Sequence, residues 1–192
     1  TTTPRRTFVY APGSQGYCPQ RSQKDRRSGK RGLPSKGSFV CQFQVLLWEP
    51  GDPVPHGPIL AVDTETEKIV NGQPIIPVLA QVCEPEERKV WICQNGLAEF
   101  TQRMFTENTS TEFVFHNAPF DLFVMGLFRK GREFIREALE SKRITDIGIR
   151  FILRQLSLGL MSDQWNLALV AKTILGVVLE KDETIRLEFR RG

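Results

Sequence analysis

The sequence predicts an α/β fold, a sheet of short buried strands with helices packed on it. Three observations predict it. Short apolar runs bounded by Gly and Pro, such as Ile59–Asp63 after Gly57-Pro58, read as buried strands. Two further runs, Pro77–Glu84 and Lys89–Gln94, are separated only by the charged turn Pro85-Glu86-Glu87-Arg88, which makes a hairpin. After that hairpin, helical spacing alternates with short strands. Strands covered by helices on both sides account for apolar runs that are nearly continuous.

The elements follow in order. Ile59–Asp63, Pro77–Glu84 and Lys89–Gln94 are the first three strands. Leu97–Thr106 places Leu97, Phe100, Met104 and Phe105 at helical spacing. Phe113–His116 is a fourth strand, and Pro119–Phe128 a helix with Pro early, where a missing N–H costs little. That helix is apolar on most sides and should be buried. Glu133–Lys142 is an amphipathic helix, Arg143–Asp146 a short fifth strand, and Ile147–Leu158 another helix. Asn166–Leu175 is a helix capped by Asn166 and stopped by Gly176.

Ahead of this lies a different stretch. Residues 1–36 hold nine Lys or Arg against one acid, Asp25, a balance of +8, while the rest of the chain balances at −4. A basic arm on a mildly acidic body suits a nucleic-acid partner, and equally a solvated tail. Gln20–Gly37 lacks the apolar surface to offset the entropy of ordering it and reads as disordered or extended. Residues 39–48 alternate with period two and predict a strand for a sheet edge. Glu49–Pro58, with four prolines and two glycines, reads as a linker. The organisation is therefore a basic, largely disordered arm with one strand and a Pro-rich linker over 1–57, then an α/β domain over 58–192.

The 192 residues suffice for one domain with a proper core. Cys18, Cys41, Cys83 and Cys93 form no Cys-x-x-Cys pair, and no His stands at zinc-finger spacing. They read as reduced thiols of a cytoplasmic protein. Cys83 and Cys93 face each other across the hairpin or, more simply, fill the core. No apolar run approaches the roughly 20 residues that span a membrane, so no membrane partner is expected. No apolar segment follows the first basic residues, which argues against a signal peptide. The first residue is Thr, which suggests a fragment or processed product.

The chemistry concentrates at two strand ends. Ile59-Leu60-Ala61-Val62 runs into Asp63-Thr64-Glu65-Thr66, and alternation puts Asp63 and Glu65 on one face. Paired carboxylates at a strand end are either solvated or a set of hard oxygen ligands for a divalent cation. Phe113-Val114-Phe115-His116-Asn117-Ala118-Pro119-Phe120-Asp121 brings another carboxylate just beyond a second strand, 58 residues after Asp63.

Together these stretches resemble the first two motifs of the DEDD (DnaQ-like) 3′–5′ exonucleases, and within them the proofreading domains of phage family A DNA polymerases. The first motif is Asp-x-Glu; the second has Asn three residues before Phe-Asp, as in Asn117, Phe120 and Asp121. The resemblance covers residues 58–190. It extends to Arg136–Glu140, Arg143–Asp146, Leu167–Gly176 and Lys181–Leu187, and it implies a ribonuclease H-like fold, a mixed sheet in which three antiparallel strands are extended by parallel ones, with helices on both faces. It further implies two divalent cations, Mg²⁺ or Mn²⁺, which lower the pKa of an attacking water and stabilise the leaving oxygen. By resemblance, Asp63, Glu65 and Asp121 are the catalytic and metal residues. Asp63 bridges both ions, Glu65 holds the nucleophile-side ion, and Asp121 acts in a second layer or through water. Thr64, Thr66, Asn117 and Phe120 face nucleic acid. Asn117, directly before Ala118-Pro119, also reads as a helix N-cap, and His116 reads as local packing.

One part of the family pattern is missing. The third motif is Tyr-x-x-x-Asp or His-x-x-x-Asp. Asp146, Asp163 and Asp182 follow Lys142, Gly159 and Val178 at that spacing, so none completes it. In the relatives the Lys-Asp-Glu-Thr stretch precedes this motif, so it is expected just past Gly192, and the domain reads as C-terminally truncated. With three of four acidic ligands, the 192-residue piece alone is expected to be inactive or nearly so. The implied partner is the single-stranded 3′ end of DNA, with a polymerase domain in the same or an associated chain. The expected location is the cytoplasm, or the host cytoplasm if phage-encoded. The alternatives are a degenerate nucleic-acid-binding module and a 3′–5′ exoribonuclease of the same superfamily.

Overall fold

The structure, a computed structural model, describes residues 7–10, 43–160 and 165–179. Among the described residues, seven strands form one sheet in the order β1-β2-β5-β4-β3-β6-β7. They are β1 (Thr7–Tyr10), β2 (Phe43–Trp48), β3 (Ile59–Thr66), β4 (Pro77–Glu84), β5 (Lys89–Cys93), β6 (Glu112–Phe115) and β7 (Ile144–Asp146). The helices are α1 (Leu97–Glu107), α2 (Ala118–Met125), α3 (Gly131–Glu140), α4 (Ile147–Ser157) and α5 (Leu167–Leu175). Strands β3, β4 and β5 pair antiparallel, and β6 and β7 continue the sheet in parallel from β3. The arrangement β5-β4-β3-β6-β7 is ribonuclease H-like. Beyond β5, β2 adds in parallel and β1 adds antiparallel to β2.

The pairing registers explain the core. Leu46, Trp91, Val82 and Val62 stand opposite one another across four strands, and all four are buried. Residues paired in register share a face, so one row of apolar side chains runs through the middle of the sheet. Over it pack Phe100, Met104 and Phe105 of α1, Met125 of α2, and Phe134, Ile135 and Ala138 of α3. Trp48, at the end of β2, is 0% exposed and packs with its ring 5.0 Å from that of Phe100. On β6, Phe113 and Phe115 point into this core, so His116 falls on the opposite face. There its ring lies 5.7 Å from that of Trp165, which also packs on Gly148 of α4.

The element bounds predicted from sequence hold to within a few residues, and β4 spans the predicted Pro77–Glu84. The period-two pattern over 39–48 becomes strand at Phe43–Trp48, with 39–42 outside the described residues. The short strand Thr7–Tyr10 is not foreseen by that pattern. The stretch expected to be disordered, Gln20–Gly37, also lies outside the described residues. The Pro-rich stretch after β2 lies along the domain. Val54 is buried, the Trp48 indole donates to the Asp52 carbonyl, and Arg103 donates to the same carbonyl at 2.8 Å. Asn108, just past α1, donates to the carbonyls of Pro55 and Met104, and Arg143 donates to the Asn108 carbonyl. A chain of prolines cannot satisfy its carbonyls with its own N–H groups, and these side chains do it instead.

Cys83 and Cys93 do not face each other. Cys93 pairs with Ala80 and Cys83 with Val90. Both are free thiols. Cys93 is a core filler, and burial pushes its thiol up to about 12. Among the described residues no helix is long and apolar enough to cross a membrane.

Because Trp48 is fully buried against α1, its truncation empties one of the largest side chains of the core. Trp48→Ala should lower the unfolding free energy by about 3–5 kcal/mol. Urea unfolding followed by fluorescence of the remaining tryptophans measures it; a loss below about 1 kcal/mol would detach β2 from the fold.

Candidate active site

The site residues lie where β3 outruns its neighbour. β3 has eight residues, but its ladder with β6 covers only Ile59 to Ala61. Past that point the backbone on this side needs another partner. Asp121, in the first turn of α2, supplies it: its Oδ1 accepts from the Thr64 amide at 2.8 Å and from the Thr64 hydroxyl at 2.7 Å. Thr64 is buried, and Asp121 is 2% exposed. Two sequence motifs 57 residues apart thus meet in a pair of hydrogen bonds.

The other carboxylates sit differently. Leu60, Val62 and Thr64 point inward, so the alternation turns Asp63 and Glu65 to the other face of β3. Asp63 is exposed and Glu65 half-buried. Thr66, also half-buried, follows a register shift between Glu65 and Thr66, which bends the end of the strand. Phe120 is half-buried in the first turn of α2.

Asn117 stands at the N-cap position of α2, as expected from Ala118-Pro119, but its side chain makes no capping hydrogen bond. Its backbone is left-handed, φ 70°, a conformation that Asn tolerates better than most residues. The cap comes from elsewhere. The carboxylate of Asp146, at the end of β7, accepts from the Ala118 amide at 2.8 Å through Oδ2. Through Oδ1 it accepts from Gly148 at 2.8 Å and Ile149 at 3.1 Å, with a longer approach of 3.4 Å from the Asn117 amide. One carboxylate therefore serves the first turns of both α2 and α4. Gly148 makes this fit: a Cβ there would stand 2.8 Å from the Trp165 ring and 3.1 Å from Asp146 Oδ1. Sequence reasoning rejects Asp146 as a third-motif acid and misses this role. The available signal is an Asp immediately before a helix, an N-cap signature for α4. Nothing in the sequence announces its second partner.

The electrostatics follow from burial. Desolvation raises the Asp121 carboxyl to about 6, against the opposing hydrogen bonds from Thr64, and the negative charge of Glu65 adds to the rise. Among the described residues no group of three or more His, Cys, Asp or Glu is gathered closely enough to hold a metal ion. Asp63 and Glu65 are suitable oxygen donors on one face, but with Asp121 seated on Thr64 the described residues fall short of a complete metal centre.

No protein-family model matches the chain, and none of the curated proteins does. Solved structures similar to it include the two that follow. The EXO domain of Aedes aegypti Nibbler aligns at 17% identity with a TM-score of 0.44, covering 66% of this chain and 63% of that one. Trypanosoma brucei RNase D, in complex with RNA U12, aligns at 15% identity with a TM-score of 0.48, covering 68% and 43%. The chain thus spans less than two thirds of either structure.

The Asp121 carboxyl sets a pH dependence of stability. In the unfolded chain it titrates near its ordinary 3.8; folded, near 6. Between those values the native state holds a proton that the unfolded state has released, so stability falls as pH rises through this window. Above it the full penalty, about 3 kcal/mol, applies. Asp121→Asn keeps an acceptor for Thr64 and carries no charge. It should be more stable than the parent at pH 8 by up to about 3 kcal/mol, with the gap closing toward pH 4. Urea unfolding at both pH values checks this; equal stability at pH 8 would show that burial does not penalise the charge.

Proposed function

We propose that the chain is a 3′–5′ exonuclease domain of the DEDD superfamily, acting on the single-stranded 3′ end of DNA in a proofreading role beside a polymerase domain. The observation that carries this reading is the seating of Asp121 on Thr64, which joins the Asp-x-Glu strand to the Asn-x-x-Phe-Asp helix at one strand end. A purely structural pair would gain little from a buried acid whose carboxyl is pushed up to about 6.

In this reading each residue has a task. Asp63 and Glu65 would hold Mg²⁺ or Mn²⁺, with Asp121 behind them, and at least one further donor is required that the described residues do not supply. Bound there, the cation would supply an activated water and charge neutralisation at the scissile phosphate. The backbone at Thr64 and the side chain of Thr66 line the approach of the terminal nucleotide. Asn117, which does not cap its own helix, is available to donate to a phosphate or sugar oxygen. Phe120, half-buried in the first turn of α2, would pack beneath the site.

A second reading, a nucleic-acid-binding module without catalysis, is favoured by one observation: the described residues gather no three-donor cluster. The two readings part in one experiment. The protein expressed from its complete gene is incubated with Mg²⁺ and 5′-labelled single-stranded DNA or RNA. Stepwise shortening from the 3′ end of DNA, abolished by Asp63→Ala and by EDTA, is the expected result, with a loss of at least about 10³-fold. In the absence of nucleic acid, Mg²⁺ should raise the melting temperature of the parent and leave that of Asp63→Ala unmoved. Binding without shortening would favour the module, and shortening of RNA alone would move the substrate to RNA.

A further inference from the structure

Asp146 lies outside both motifs, yet it touches the helix that carries Asn117 and Asp121. Its carboxylate divides its two oxygens between two helices: Oδ1 takes Gly148 and Ile149 at the start of α4, and Oδ2 takes Ala118 at the start of α2. A helix begins with N–H groups that have no partner inside it, and the usual remedy is the side chain of its own N-cap residue. α4 follows that pattern, with Asp146 as its N-cap. α2 does not: its N-cap residue, Asn117, makes no side-chain cap and sits in a left-handed backbone. The cap of α2 is thus borrowed from the neighbouring strand. The borrowing has two consequences. It ties the first turn of α2 to the end of β7, and Asp121 belongs to that turn. It also frees the Asn117 side chain from capping.

We infer that Asp146 is a positioning residue of the exonuclease site: by capping α2 from β7, its carboxylate holds Asp121 on Thr64 and releases the Asn117 side chain for nucleic acid. The binding half of this inference rests on the exonuclease reading; the holding half does not.

Serine separates the two tasks of Asp146. A serine hydroxyl can cap α4 as an ordinary N-cap, but it offers no second oxygen to Ala118. Asp146→Asn is the companion variant, since it keeps the shape and a single acceptor. Two measurements are made on the full chain, parent and variants. The first is amide hydrogen exchange without nucleic acid. In both variants the amides of Ala118 and Thr64 should lose protection while Gly148 and Ile149 keep theirs. Unchanged protection at Ala118 and Thr64 would overturn the holding role, whatever the protein binds. Loss at all four would show general loosening and overturn it as well.

The second is the dissociation constant for a single-stranded oligonucleotide with phosphorothioate linkages at its 3′ end. Asp146→Ser should weaken binding on the order of tenfold. Asn117→Ala should weaken the parent by a similar factor and add little in the serine background, because both changes act through the same contact. Equal effects of Asn117→Ala in both backgrounds would overturn the coupling. A parent that binds no oligonucleotide would overturn the exonuclease reading and the binding half with it, leaving the exchange result to decide the holding role alone.

Discussion

The site depends on an unfinished ladder. β3 needs to be long enough to carry Asp63, Thr64, Glu65 and Thr66 past the sheet, yet its partner β6 follows it only as far as Ala61. An N–H left without an acceptor in a buried position costs free energy comparable to a lost hydrogen bond. The fold meets that need with a carboxylate from a helix rather than with more strand. Once Asp121 is assigned to the Thr64 amide, the position of α2 is fixed, and with it the turn that precedes the helix. In the exonuclease reading, the geometry of the site and the satisfaction of the backbone are the same interaction.

That interaction is costly in one respect and stabilising in another. Burial opposes the charge on Asp121, and the two donors of Thr64 offset only part of the opposition, since the carboxyl still rises to about 6. A neutral acceptor would satisfy the strand more cheaply. A carboxylate where an amide would do is what the exonuclease reading asks for, since there Asp121 stands behind a cation. The core beneath carries a smaller cost, the buried indole N–H of Trp91 and hydroxyl of Thr101, which have no hydrogen-bond partner among the described residues. Leu46, Trp91, Val82 and Val62 form an uninterrupted apolar row, and α1 and α3 cover it with Phe, Met, Ile and Ala side chains.

Much of this was legible in the sequence because the signals are local. β4 is an apolar run between a proline and an acidic turn, and α5 is bracketed by Asn166, which accepts from the Leu169 amide, and by Gly176 in a left-handed backbone. Each needs only neighbours within a few residues. The nearness of Asp121 to Thr64 came from motif resemblance, not from periodicity. What escaped is non-local. Asp146 sits 28 residues from Ala118, and no spacing rule links a strand-end Asp to a helix on another element. The parallel pairing of β2 with β5 is equally silent, for a period-two pattern predicts a strand and not its neighbour. Asn117 shows the limit most clearly. Its type and place match an N-cap, but the left-handed backbone and the supply of an acceptor from β7 make the side chain unnecessary for that task.

Asp146 and Asp121 together show how a sheet of this kind transmits order to a strand end. Asp146 fixes the start of α2 from the β7 side, Asp121 fixes its first turn from the β3 side, and β6 lies between the two. The helix is thus pinned at two points four residues or fewer apart, by carboxylates that come from opposite directions in the chain: one reaching into the helix and one reaching out of it. A short helix of eight residues has little stability of its own, since nucleation consumes most of what its few internal hydrogen bonds return. Tertiary contacts therefore hold it, the buried Ala118, Val124 and Met125 together with the anchors at its first turn. They hold in register the residues that the exonuclease reading asks to meet a substrate, Asn117 ahead of the helix and Phe120 and Asp121 within it. Loosening either anchor should act on those three residues before it acts on the core, because the core is secured by the apolar row and by α1 and α3.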